Sequence, residues 1–212
     1  MTIGQLTRRE RRRAARKAQI LEAAATVFSE KGYERATTRE IADTADVSEG
    51  TLYNYFDSKR DLLLGLSQEF ADETVKAITD VQAESVEDMM TQILASRFRH
   101  VQQRHMFTLI LHEARLDPEI HQYVVEKSLS RIRREAEQRI QALIAAGILR
   151  PVNPAIAART IMWAMMGFAI QFELGDDSDL ESMSPESLAA EVTDIFLNGL
   201  LARPADETGG AS

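Results

Sequence analysis

There is no cysteine anywhere in the 212 residues. That excludes disulfides and thiolate metal sites, and it suits a reducing cytoplasmic setting. Long apolar runs are missing as well. The longest, residues 161–170, falls short of the ~18 residues that a membrane span needs, so no membrane partner is expected. No G-x-G-x-x-G, no G-x-x-x-x-G-K-[ST] and no G-x-S-x-G occurs, which leaves phosphate-cradling and nucleophile-elbow chemistry without a foothold. The four histidines, His100, His105, His112 and His121, contain no i, i+4 pair, and structural or surface roles fit them better than metal ligation. The chain is therefore expected to be neither an enzyme nor a carrier of a metal or other cofactor. Glu10 and Glu22 interrupt the Arg-rich start, and no uncharged segment with a cleavage site follows, so a signal or transit peptide is not expected.

What is present begins with an uneven charge. The net charge is −8, yet residues 1–60 carry twelve Lys or Arg against nine Asp or Glu, a balance of +3 that leaves −11 for the remainder. An acidic protein with one basic end is expected where only that end meets phosphate. The cations concentrate in Arg8, Arg9, Arg11, Arg12, Arg13, Arg16 and Lys17. They read either as a solvated, frayed helix start or as an arm on phosphates and the adjacent minor groove, and their place directly before the next feature favours the arm.

That feature runs from Thr37 to Leu64. Thr37 with Glu40 three residues on is a capping box for a helix starting at Thr38, with Ile41, Ala42 and Ala45 as its apolar stripe. Asp46 takes a turn that calls for a left-handed backbone, which Asp tolerates better than most non-glycine residues. Ser48 offers an N-cap to a second helix over residues 49–55, with Leu52 and Phe56 pointing inward. Glu49, Gly50, Thr51, Tyr53 and Tyr55 are left on the outside. This is a helix-turn-helix whose second helix presents small and hydrogen-bonding groups to a major groove.

The string IADTADVSEGTLYNYFDSKRDLL resembles the DNA-binding signature of the TetR family of bacterial transcriptional regulators, over about residues 20–66. It departs from the family pattern at the turn, where Asp46 stands in place of the usual glycine. The resemblance implies an all-α fold: an N-terminal three-helix DNA-binding domain, then a helical domain for ligand sensing and dimerisation. It implies DNA contacts from Thr37, Thr38, Arg39, Ser48, Glu49, Gly50, Thr51, Tyr53, Asn54, Tyr55 and Lys59. Within that set Thr38 and Lys59 resemble phosphate contacts, Arg39 reaches a guanine edge and Thr51 a thymine methyl. Tyr53 meets the backbone and Tyr55 faces the groove. Glu49 either accepts from cytosine N4 or points to solvent.

Beyond the motif, Ser58 and Asp61 start a long helix that runs to about Gln82 and joins the two domains. Ser85 and Asp88 start another, and residues 106–111 read as short and enclosed. Three later helices open on a capping residue followed by proline: Asp117-Pro118, Asn153-Pro154 and Ser184-Pro185. Gly147 ends the first. The second is apolar on almost every face and must be buried all round, which a partner subunit can achieve. The resemblance implies a homodimer through the last two helices, with Gly167 and Gly199 permitting close approach. An acidic loop separates those helices.

A soft, aromatic cluster completes the reading. Phe98, Met106, Phe107, Met162, Trp163 and Met166, with His112, are the candidate ligand residues. Such a cluster is either plain core or the wall of a cavity. Polar residues mixed among the same helices (Arg97, His105, His112, Arg159 and Gln171) favour the cavity, because a buried polar group needs a partner. The expected organisation is a DNA-binding domain over 1–60 with its basic arm, a sensing and dimerisation domain over 61–203, and a disordered tail over 204–212. The expected function is that of a ligand-responsive regulator, a repressor binding a palindromic double-stranded DNA operator as a homodimer and released by a small apolar or amphipathic effector. A sequence-tolerant architectural DNA-binding protein without ligand response is the alternative.

Overall fold

The computed structural model of the chain describes residues 7–81, 83–99, 101–175 and 182–199. Among them every regular element is helical: α1 (Arg8–Lys31), α2 (Thr38–Thr44), α3 (Glu49–Tyr53), α4 (Lys59–Thr79), α5 (Val86–Arg99), α6 (Val101–Leu116), α7 (Pro118–Tyr123), a π-helical segment (Val124–Leu129), α8 (Ser130–Ala145), α9 (Pro154–Leu174) and α10 (Pro185–Asn198). The fold is all-α. Residues 204–212, the segment 176–181 in the acidic loop, Gln82 and His100 lie outside the described residues.

Local chemistry sets most boundaries. Thr7 and Glu10 form a capping box, so the basic stretch from Arg8 to Lys17 is the exposed, helical start of α1. Thr37 and Glu40 form the expected box on α2, and Ser48 caps α3 through the amide of Thr51. Asp46 has φ 50°. Its side chain permits this left-handed turn, which hands the chain from α2 to α3. The α3 helix stops two residues earlier than its spacing predicts, at Tyr53. Each of Pro118, Pro154 and Pro185 occupies a first turn, behind Asp117, Asn153 and Ser184 caps respectively. Residues 106–111 are no short enclosed piece but the middle of the 16-residue α6. Gly199 adopts φ 78° and ends α10.

Two cores result. The first joins α1, α2, α3 and the start of α4 through Ile20, Phe28, Ile41, Leu52 and Leu63, then continues into Met106, Ile110 and Ala114 of α6 and Ile120 of α7. It therefore crosses the boundary expected at residue 60. Burying Phe28 alone, fully enclosed, is worth about 1.5–3 kcal/mol. The second core packs α5 against α10 (Leu94, Phe98, Leu188 and Val192), with Met165, Phe168 and Phe172 of α9 against it. α4 serves both halves: its first turns belong to the first core, and further along Phe70, Thr74 and Ile78 line a cavity in the second.

Candidate nucleic-acid interface and effector cavity

The exposed side of α2 and α3 is held by side-chain bonds between the two helices. Thr38 Oγ1 donates to Glu49 Oε1 at 2.9 Å and lies 3.0 Å from the Tyr53 hydroxyl. Glu49, although exposed, thereby braces the start of α2 against α3. Ser48 and Thr51 share a hydroxyl contact of 2.8 Å, and Glu40 takes Lys31 at 2.7 Å. Gln19 of α1 donates to the Ala45 carbonyl at 2.8 Å, which fixes the turn against α1. Arg39, Gly50, Tyr53 and Asn54 are exposed, and Thr51 is half-exposed.

Two residues expected to face DNA do otherwise. Tyr55 is half-buried against the first core, with the Arg13 guanidinium 5.9 Å over its ring, since the end of α3 turns it inward. Lys59 spends its ammonium on the loop between α1 and α2. It donates to the carbonyls of Tyr33 (2.7 Å), Glu34 (3.1 Å) and Ala36 (3.2 Å), and sits 4.5 Å over the Tyr33 ring. An ammonium has three protons to give, and these contacts account for all of them.

The cavity has a volume of about 230 Å³ and lies among α4, α5, α6, α8 and α9. Of the candidate ligand residues, Phe98, Phe107, Met162 and Met166 line it. Met106, His112 and Trp163 do not. Met106 points the other way, into the first core. His112 is exposed. Trp163 is 57% exposed, on the outer face of α9. Arg97 lines the cavity, whereas Arg159 pairs with Glu137 at the surface. Sequence reasoning passed over Arg139, which also lines it. Its signal was its place in the stripe Ile132, Ala136, Arg139, Ile140, Leu143, at helical spacing on the apolar face of α8.

Residues 20–66 match the family described as bacterial regulatory proteins, tetR family, and residues 84–199 match the AefR-like transcriptional repressor, C-terminal domain. The chain belongs to the TetR family. The two families matched are described as regulatory proteins and as transcriptional repressors. Among curated relatives, this TetR-family chain is 32% identical over 79 residues to the HTH-type transcriptional repressor KstR2 of Rhodococcus jostii, covering 37% of this chain and 39% of that one. The match to the HTH-type transcriptional repressor AcnR of Corynebacterium diphtheriae is longer, 29% identical with 77% and 84% covered. The chain spans less than half the length of the KstR2 relatives it matches first. Among solved structures, the regulator FadR from Bacillus subtilis in complex with stearoyl-CoA superposes with a TM-score of 0.72 at 20% identity, covering 87% of this chain and 99% of that one. At that identity the likeness shows the fold alone.

Proposed function

We propose that this regulator is a cytoplasmic homodimeric repressor that binds a palindromic operator and is released by a small apolar or amphipathic effector taken into the cavity. The observation that carries the reading is the course of α4. Its first turns pack on α1 beside the recognition helix, and its later residues Phe70, Thr74 and Ile78 form a wall of the cavity. A ligand with different affinities for two packings of that wall shifts the DNA-binding unit, and by linkage DNA weakens the ligand by the same factor.

In the proposed complex Arg39, Gly50, Thr51, Tyr53 and Asn54 form the exposed face toward the major groove, with Thr37, Thr38 and Ser48 at the helix starts beside phosphate. The basic start of α1 adds charge next to it. Repression itself is proposed by analogy with the relatives, whose names describe repressors.

The homodimer is supported by α9. Its outer face leaves Ile156 (64% exposed), Trp163 (57%), Ile170 (45%) and Leu174 (75%) uncovered, with Gly167 open between them. Spacings of seven, seven and four are those of a helix-packing seam. This helix over residues 154–172 is long and apolar enough to cross a membrane by length and composition. Its stripe is confined to one face and its other face packs on the protein, which favours a second copy over lipid. Ile195 of α10 is likewise left 47% exposed.

The test is to select bound sequences from random DNA, then titrate the operator so found with the protein at known ionic strength. A palindromic consensus bound by a dimer supports the proposal. Equal affinity for consensus and random DNA would instead favour the architectural alternative.

A further inference from the structure

Among the described residues, three with nitrogen or oxygen in their side chains line the cavity: Thr74, Arg97 and Arg139. Two of them are already occupied. The Thr74 hydroxyl donates to the Phe70 carbonyl at 2.7 Å. Arg139 is partly exposed and turns Nε and Nη2 toward the Met89 sulfur, at 3.4 and 3.2 Å. Arg97 differs. Its Nε and Nη1 are buried and have no hydrogen-bond partner among the described residues.

A buried cation with idle donors costs free energy until something accepts from it. Burial pulls the Arg97 guanidinium below its ordinary value, with Glu73 acting in the opposite sense. A guanidinium nonetheless stays charged in proteins, so the charge cannot be relieved by losing a proton. The ring of Phe70, 5.5 Å away and stacked on Phe107, holds one face of the group. The rest of the wall is aliphatic, aromatic or thioether, including Met90, Ile93, Met162 and Met166.

We infer that the effector is an amphipathic organic acid whose carboxylate accepts from Arg97 Nε and Nη1 while its apolar body lies among the methionines and phenylalanines of the cavity. The inference rests on the effector-cavity reading above and names the chemistry of that site. An anion offers both charge and acceptors, and charge-assisted bonds are roughly twice as strong as neutral ones. Methionines adapt to an apolar body of variable shape. Arg97 and Met89 are eight residues apart on α5, so the cavity floor between the Arg97 end and the Arg139 end is about 12 Å long at 1.5 Å per residue. That is about the reach of an extended ten-carbon chain.

The test uses the whole chain and calorimetric titration with decanoate, decanol, methyl decanoate and decanoyl-CoA. Decanoate is expected to bind tightest. Arg97→Leu is expected to lose roughly ten- to a hundredfold in decanoate affinity while binding decanol no worse. Arg97→Lys, which keeps the charge but gives up the planar fork, should fall between. Arg97→Leu should also melt no lower than the wild type when free of ligand, because it removes an unsatisfied buried charge. Equal affinities for acid, alcohol and ester, or an unchanged decanoate affinity in both variants, would overturn the anchor and leave the cavity reading standing. Tighter binding of the thioester than of the acid would also overturn it. Binding of none of the four would overturn the anchor and the cavity reading together.

Discussion

The hydroxyls of Ser67 and Ser128 meet at 2.7 Å in a site where both residues are 2% exposed. Ser67 belongs to α4 and Ser128 to the π-helical segment, so this polar contact ties the helix leaving the DNA-binding unit to a stretch of widened helix. π segments recur at functional positions inside longer helices. Around this contact Arg60 pairs with Asp117 at 2.7 Å and with Glu119, and Arg131 pairs with Asp72. The segment's last residue, Leu129, lines the cavity. The buried pair thus joins α4 to a segment whose last residue belongs to the cavity wall.

Removing one hydroxyl leaves the other buried without its partner. Ser67→Ala or Ser128→Ala alone is expected to cost about 1–2 kcal/mol, and the double variant less than the sum of the two. Urea unfolding of the four proteins measures the coupling. Strict additivity would mean that the two hydroxyls do not depend on each other.

Gly65 lets α4 lie against α1. A β-carbon there would meet Leu21 Cδ2 at 2.9 Å and Phe56 Cε1 at 3.0 Å, both side chains of the first core. Gly65→Ala should therefore destabilise by about 1–3 kcal/mol through overpacking, despite alanine's better helix propensity. The thermal midpoint reports it. A midpoint equal to or above the wild type would show that Leu21 and Phe56 can give way.

The cap on α2 sets a pH dependence. Glu40 accepts from Lys31 and then from Thr37, and these contacts lower its carboxyl from 4.5 to about 2. A depressed carboxyl contributes stability that is fully present above its unfolded value and is lost as pH falls toward the folded one. The contribution of Glu40 should therefore disappear between about pH 4.5 and pH 2. Titrating its side-chain carboxyl by NMR checks this, and a midpoint near 4.5 would show that the contacts do not persist in solution.

The helix starts were legible because capping is a local affair. Thr37 with Glu40, the left-handed Asp46, Ser48 and the three cap-proline pairs need only a few neighbouring residues to act. What spacing did not reveal depends on contacts distant in sequence. The π segment interrupts what reads as one amphipathic run from Pro118 to Ala145, and no residue in it is a helix breaker. Met106 and Phe107 are adjacent in sequence but face opposite ways, one into the first core and one into the cavity. A periodicity that marks both as buried cannot say against what. The apolar surround of α9 signalled a face in need of cover. Which face that was became visible only once α5, α8 and α10 had taken the others.

Arg39 and Lys59 lie at the starts of neighbouring helices, and the structure gives them different work. Arg39 is exposed on α2, and its proposed role is to read a base edge. Arg39→Ala is expected to cost about 1–3 kcal/mol on the preferred operator and to relax selection at one base position, with little effect on random DNA. Lys59 instead satisfies three carbonyls of the loop between α1 and α2. Lys59→Ala leaves those carbonyls to find water and frees the loop, so its first effect is on folding, at about 1–3 kcal/mol. Because Lys59 does not face phosphate here, its loss should leave the slope of log K against log salt unchanged, whereas removing one phosphate contact would reduce that slope by about one. Operator titrations at four salt concentrations, run beside urea unfolding, separate the two. A normal melting profile with a reduced slope for Lys59→Ala would return that lysine to the DNA face.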